Sequence, residues 1–385
     1  MIYINCDYNE GAHEKILNRL VETNSEQSIG YGCDKHCDNA RSLIKKLCKN
    51  SDVDVHFLVG GTQTNETVIS AALRPHQGVL AATSGHINVH ETGAIESCGH
   101  KVLTLESEDG KIRASQIENY YTNHINDGSH EHIVQPKMVY ISQPTELGTL
   151  YSLSELEEIS SVCRKNNLFL FVDGARLGYG LAASDNDMTL EDLARLSDVF
   201  YIGGTKVGAL FGEAVVISND YIKEDFRYII KQKGGMLAKG RLLGVQFEAM
   251  FEEDDEYEED SKLELADKIN IDNVENIEKC TVQESIIDKE LEKTLYMKMS
   301  RKAIRLADRL RKVLIDKKVA FLVENTTNQI FPILSDSILE ELSKKYVYEY
   351  QERIDESHSA IRFCTSWATS DEIINELCDE LEKLL

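Results

Sequence analysis

Residues 168–176 read Leu168-Phe169-Leu170-Phe171-Val172-Asp173-Gly174-Ala175-Arg176: five apolar residues in a row, then a carboxylate, then a glycine. An unbroken apolar run of this length suits a strand covered on both faces, as in a parallel sheet with helices above and below. Asp173 stands where such a strand ends, and open α/β sheets gather their ligands at the carboxyl ends of their strands. The residue has two readings at that point: a cap for the next helix, or an acid turned toward a ligand.

Further strand signals occur at 54–59, 79–83, 101–105, 136–142, 199–202 and 214–217. Helical stretches separate them, among them 38–47 and 154–166, the latter with Ser154 at its start. Alternating strands and helices predict a mostly parallel sheet with helices on both faces. A strongly amphipathic helix is predicted over 298–316, with Ile304, Leu306, Leu310, Val313 and Leu314 apolar among basic residues. A chain of 385 residues exceeds one ordinary core, so one large and one smaller domain are expected. The expected division is 1–251 for an N-terminal segment and the large domain, 252–294 for an acidic insertion, and 295–385 for a small C-terminal domain.

The insertion rests on charge. Residues 252–293 hold 17 acidic residues and 5 lysines, a net of −12 and half the −24 of the whole chain. They read as a solvated surface segment with the composition of a disordered one. The overall charge argues against nucleic acid and anionic membrane as partners, since both demand a basic face. No apolar run of 18 residues and no leader pattern is present. The nine cysteines are scattered, so a cytoplasmic protein with reduced thiols is expected. Asn65-Glu66-Thr67 matches a glycosylation acceptor, which has no meaning in that compartment.

Four words carry the chemistry. Gly60-Gly61-Thr62-Gln63-Thr64-Asn65 follows a strand and opens a helix. Glycines let the backbone approach an anion, and the amides at a helix start favour a phosphate. The alternative is a tight turn with a cap. Tyr201-Ile202-Gly203-Gly204-Thr205-Lys206-Val207-Gly208 sets one lysine among small residues at a strand end. Such a pocket desolvates the amine and lowers its pKa, as a Schiff-base lysine requires; the alternative is a lysine that snorkels to the surface. Asp173 in the ligand-facing reading would keep a pyridine nitrogen protonated, which makes the ring a better electron sink. Gly85-His86-Ile87-Asn88-Val89-His90-Glu91 carries two histidines, one able to stack on a ring or to move a proton. The His86–His90 spacing and Cys33-Asp34-Lys35-His36-Cys37 are weak metal signals, and no metal is expected.

In that order, these words resemble the fold-type-I pyridoxal phosphate (PLP) enzymes. Within them the chain is similar to the threonine aldolase and β-eliminating lyase family, above all its low-specificity L-threonine aldolase branch. The resembling stretches include Asp7-Tyr8-Asn9-Glu10-Gly11-Ala12-His13, Gly60 to Asn65, Gly85 to Ala94, and Ile141 to Thr149. They continue with Val172 to Leu177, Ile202 to Gly208 and Lys239-Gly240-Arg241-Leu242-Leu243-Gly244, leaving out only the acidic insertion. The resemblance implies the aspartate aminotransferase fold: a large, mostly parallel seven-stranded sheet domain and a smaller α+β C-terminal domain.

The resemblance also implies roles. Gly61 and Thr62 bind the cofactor phosphate, His86 stacks on the ring, Asp173 pairs with the ring nitrogen, and Lys206 forms the Schiff base. Arg176 lies by the cofactor and the substrate carboxylate, and Arg362 holds that carboxylate by a bidentate pair. A homodimer or homotetramer with interface active sites is implied, with Tyr31 serving the neighbouring subunit. The implied reaction is retro-aldol cleavage of L-threonine or L-allo-threonine to glycine and acetaldehyde. Where some relatives carry a second histidine, this chain reads Gln143-Pro144-Thr145, which leaves His86, His90 or a water as the base for the β-hydroxyl. The alternatives are another PLP-dependent β-eliminating lyase, an aminotransferase acting on a small amino acid, or a non-catalytic PLP-binding scaffold.

Overall fold

A short N-terminal strand, β1 (Ile2–Tyr3), precedes seven strands that fall where the sequence predicts them. These are β2 (Asp54–Leu58), β3 (Gln77–Ala82), β4 (Lys101–Leu105), β5 (Gln135–Ser142), β6 (Phe169–Asp173), β7 (Val199–Gly203) and β8 (Glu213–Ile217). The computed structural model describes residues 1–254 and 288–385, so most of the acidic insertion expected at 252–294 lies outside the described residues. The seven strands form one sheet in the order β2-β8-β7-β6-β5-β3-β4. Only β8 runs against its neighbours, pairing antiparallel with both β2 and β7.

Both faces of this sheet are covered, which explains the apolar runs. Along β7, Val199 and Tyr201 enter one core while Phe200 and Ile202 enter the other. Along β3, Val79 and Ala81 alternate with Leu80 and Ala82 in the same way. Full burial of each such large side chain contributes about 1.5–3 kcal/mol. The predicted helix at 154–166 begins one residue earlier, as Leu153–Lys165. Its cap is Ser152 rather than Ser154, because Ser152 and Glu155 form a reciprocal capping box. The helix expected from residue 38 also begins earlier, as Lys35–Leu47, with the Asp34 carboxylate accepting from the Cys37 amide.

The C-terminal part holds β9 (Gln329–Ile330), β10 (Ile333–Ser335), β11 (Tyr346–Val347), β12 (Glu349–Arg353) and β13 (His358–Cys364). Strands β10, β13 and β12 make a small antiparallel sheet, with β9 also paired to β13. Helix Leu295–Asp316 joins the two parts. Its first half, through Ile304, packs in the large core; Leu306, Ala307, Leu310 and Leu314 pack in the small one. The chain start also belongs to the small part, since β1 pairs with β11 and Ile4 is buried in the C-terminal core. The flanks of the insertion are tied together: Glu253 bridges Thr294, and the Asp254 amide donates to the Lys293 carbonyl at 2.8 Å.

Candidate active site

Six strands of the main sheet are mutually parallel, so their carboxyl ends share one edge. Strand β8, running the other way, brings its first residue to that edge, with Glu213 opposite Gly203. The β6 and β7 ends approach so closely that neither tolerates a side chain. A Cβ on Gly174 would stand 1.9 Å from the Tyr201 carbonyl oxygen, and one on Gly203 would stand 2.2 Å from that of Ala175. This crossing fixes the Asp173 turn against the loop that carries Lys206.

Asp173 is 4% exposed. Its Oδ1 accepts from the Ala175 amide at 2.9 Å, the local turn that a capping role predicts. Its Oδ2 accepts from the Tyr140 hydroxyl at 2.5 Å and from Asn65 Nδ2 at 3.4 Å. The next helix, Leu177–Ala182, is capped at Arg176 instead, so Asp173 is held as a buried acid at the strand end. Lys206 follows β7, its carbonyl accepting from the Tyr179 hydroxyl at 2.6 Å. Its Nζ lies 6.0 Å from the centre of the Tyr8 ring and has no hydrogen bond or ion pair among the described residues. Burial, and then the nearby Arg176 charge, push the Lys206 amine below its ordinary range. The surface-lysine reading is thereby set aside.

Helix Gly61–Ala72 starts after Gly60 with no side-chain cap, so its first amides remain open at the sheet edge. Gly61 is close beneath the Tyr201 hydroxyl, which a Cβ would meet at 3.3 Å. Thr62 is exposed beside it, and Thr64 Oγ1 is buried without a partner. His86 opens the turn after β3. Its amide donates to Glu146 Oε1 at 2.9 Å, and its ring Nδ1 meets Glu91 Oε1 at 2.7 Å. That oxygen also accepts from Asn65 Nδ2 at 2.7 Å. Tyr140, Asp173, Asn65, Glu91 and His86 therefore form one hydrogen-bonded chain. The His90 ring lies 5.5 Å from that of His86. Burial, with the His86, Arg362 and Arg176 charges, lowers its pKa.

The two arginines differ. Arg176 is neutralised: its Nε and Nη2 clasp Asp7 at 2.7 and 3.1 Å, and Asn328 Nδ2 donates to the same carboxylate at 3.0 Å. Burial opposes the ionised carboxylate, but the Arg176 guanidinium outweighs it and holds Asp7 at about 2. Arg362, on β13, has no carboxylate partner among the described residues. It donates to the Asn5 carbonyl at 2.8 Å and to Gln329 Oε1 at 3.1 Å.

Tyr31 is not part of this cluster. It is 47% exposed, under Lys231 at 5.0 Å, with its carbonyl accepting from Arg227. Gln143 is locked by two hydrogen bonds to the Tyr151 backbone, at 2.9 and 3.1 Å. It is a structural side chain here. The residues of the Cys33–Cys37 word diverge: Cys37 is buried, Cys33 contacts Arg227, and His36 bonds Glu248 and Glu26.

The sequence reading missed several members of the site. Asn65 and Glu91 lie inside the quoted words, and Asp7 and Tyr8 inside a resembling stretch, yet none was assigned a task. Glu213 carries no local signal at all. It is 3% exposed, and its carboxylate accepts from the Thr205 hydroxyl at 2.8 Å and the Gly204 amide at 3.2 Å. Burial pushes its pKa up to about 8.

A profile of the beta-eliminating lyase family matches residues 13–331. The chain belongs to that family. It is 30% identical over 237 residues to a low specificity L-threonine aldolase of Pseudomonas aeruginosa, covering 61% of this chain and 67% of that one. A low specificity L-threonine aldolase of another Pseudomonas strain is 32% identical over 238 residues, with the same coverage. Among solved structures, Leishmania major threonine aldolase superposes over 100% of this chain and 99% of its own, with a TM-score of 0.86 and 39% identity. Thermus thermophilus aspartate aminotransferase, at 12% identity and a TM-score of 0.65, shares the fold. This beta-eliminating lyase is thus an enzyme of the threonine aldolase family with the fold-type-I architecture.

Family and fold imply PLP, and the donor set fits it. An uncapped helix start suits a phosphate. A buried carboxylate suits a protonated ring nitrogen. An amine held below its ordinary pKa suits an aldehyde. Buried hydroxyls of Thr64 and Ser84 without partners add hydrogen-bonding capacity at the same edge. Among the described residues no group of His, Cys, Asp and Glu could hold a metal ion, and no helix is long and apolar enough to cross a membrane.

Proposed function

We propose that this lyase cleaves an L-β-hydroxy-α-amino acid between Cα and Cβ, with L-threonine or L-allo-threonine giving glycine and acetaldehyde. The observation that carries this reading is Arg362. Its charge is felt at Tyr8 and His90 and meets no carboxylate among the described residues, whereas Arg176 is already paired with Asp7. A guanidinium fork with no carboxylate partner suits the carboxylate of an α-amino acid.

The cofactor would be held by the first amides of helix Gly61–Ala72 with Thr62, by Asp173 and by Lys206, with the His86 ring alongside. Bound there, pyridoxal phosphate supplies an electron sink for the pair released as Cα–Cβ breaks. The protein's own groups manage orientation and protons. Tyr140 and Asn65 donate to Asp173 Oδ2 and fix the orientation of its carboxyl group. Arg362 orients the substrate carboxylate. Either of two imidazoles, or a water, would take the β-hydroxyl proton. His90 is held neutral by burial and neighbouring positive charge. His86 gives its Nδ1–H to Glu91, which leaves Nε2 as its acceptor. Lys206, whose amine burial holds below its ordinary range, can take up a proton and return it to Cα.

On the same reading the enzyme is a homo-oligomer in which Tyr31 completes a neighbouring subunit's site. The test is a product assay on the PLP-loaded protein. Glycine and acetaldehyde should form from threonine or allo-threonine with wild type, and with neither Lys206→Ala nor Arg362→Ala at comparable rates. Ammonia and a keto acid in their place would move the assignment to β-elimination, and no turnover of either substrate would refute it.

A further inference from the structure

Away from the Lys206 cluster, one nitrogen–sulfur contact is far shorter than the others. Lys233 Nζ stands 2.7 Å from Cys98 Sγ. Elsewhere, nitrogen meets cysteine sulfur at 3.6 Å (Arg227 to Cys33) and 3.4 Å (Asn328 to Cys364). Sulfur is a large, weak acceptor, so its hydrogen bonds are longer than those to oxygen. A separation of 2.7 Å is instead the span of two atoms joined through one shared light atom.

A third group completes the cluster: Glu66 Oε1 accepts from the Cys98 thiol at 3.3 Å. The three come from separate segments. Cys98 caps the short helix Ala94–Ser97, Lys233 caps helix Phe226–Gln232, and Glu66 lies on helix Gly61–Ala72. All three are half-buried, so a small oxidant can reach them.

We propose that Cys98 and Lys233 form a redox-reversible covalent cross-link through a single oxygen atom, Sγ–O–Nζ, with molecular oxygen as the oxidant. The thiol and amine together lose two hydrogens, and the O–O bond breaks. One oxygen atom bonds to both Sγ and Nζ; the other leaves as water with those two hydrogens. Sulfur and nitrogen are oxidised and oxygen is reduced by four electrons. Two equivalents of a dithiol restore the thiol and the amine, with release of water. Glu66 relays the thiol proton to the departing water as Sγ is oxidised.

The cross-link has a mechanical consequence. Gln63 Nε2 donates to the Lys233 carbonyl at 3.2 Å, and Gln63 Oε1 accepts from the Val59 amide at 3.3 Å. The bond would therefore brace, from outside, the helix whose first turn offers its amides at the sheet edge. None of this depends on which amino acid the enzyme cleaves.

The test is mass spectrometry of the full chain, purified in air-saturated buffer and, in parallel, under anaerobic dithiothreitol. The air-exposed protein is expected to be heavier by about 14 Da, one oxygen gained for two hydrogens lost. Proteolysis at glutamate should recover Cys98 and Lys233 in one linked peptide that dithiothreitol separates. Cys98→Ser and Lys233→Arg should both lack the linked species, the second while keeping a nitrogen donor at that position. Cys98 unmodified in air, or carrying only sulfenic or sulfinic oxygen with Lys233 free, would overturn the proposal.

Discussion

Replacing Asp7 with asparagine removes the counter-charge of Arg176 while keeping the shape of the site. Asp7 is fully buried and clasped by two guanidinium nitrogens. Its carboxyl is held at about 2 against an ordinary 3.8. That difference corresponds to about 2.4 kcal/mol of folding stability. The folded value is depressed, so this contribution is complete above pH ~4 and fades as pH falls toward 2. Asparagine also leaves a buried guanidinium uncompensated, which raises the expected loss at pH 7 to about 3 kcal/mol. For a chain of this length that is a fall of about 4 °C in Tm. Urea unfolding of the apoprotein at pH 7 and pH 3 is the assay. The difference between wild type and Asp7→Asn should shrink by about 1 kcal/mol at the lower pH. Arg176→Met in the Asp7→Asn background should recover part of the loss. A loss under about 1 kcal/mol at pH 7, or one equal at both pH values, would refute the reasoning.

Glu91→Gln should leave Tm within about 2 °C but lower kcat about 10- to 100-fold, because an amide, which can donate as well as accept, no longer fixes the His86 tautomer; an unchanged kcat would count against that role. Glu213 has its folded pKa raised by burial to about 8, so its favourable neutral state is fully present below the usual carboxylate range and lost as pH climbs through 8. Glu213→Gln apoprotein should therefore gain on wild type between pH 5 and pH 9, by up to about 4 kcal/mol, and a constant difference in urea midpoint would contradict this. Gly174→Ala sets a methyl 1.9 Å from the Tyr201 carbonyl oxygen. It should cost about 3 kcal/mol or more and sharply weaken PLP binding in a fluorescence titration, whereas a protein that binds PLP like wild type would show that the crossing yields easily.

The main sheet was legible because its strands are covered on both faces and so carry unbroken apolar runs at 168–172, 199–202 and 214–217. The small domain was legible only as an amphipathic helix followed by mixed structure. Strands of two or three residues such as β9 to β11 leave too few positions for a period to show. Lys206, Asp173, His86 and the Gly60-Gly61 turn announced themselves through their neighbours in sequence. Asp7 and Glu213 did not. Asp7 is meaningful only against Arg176, 169 positions away. Glu213 reaches the site because β8 alone runs backwards, a property of pairing and not of any short word. The Ser154 cap failed for a narrower reason: two serines compete there, and only Ser152 stands three residues before a glutamate.

The crossing of Gly174 and Gly203 separates what must stay constant from what is free to vary. The distance between the acid of one strand and the amine beyond the next is set where two backbones touch, not by the helical excursion at 177–196 that links them. Tyr179 in that excursion still holds the Lys206 carbonyl, so it is the stretch beyond Tyr179 that is free to change in length. Two residues without side chains thus fix the spacing of the working pair at the backbone itself.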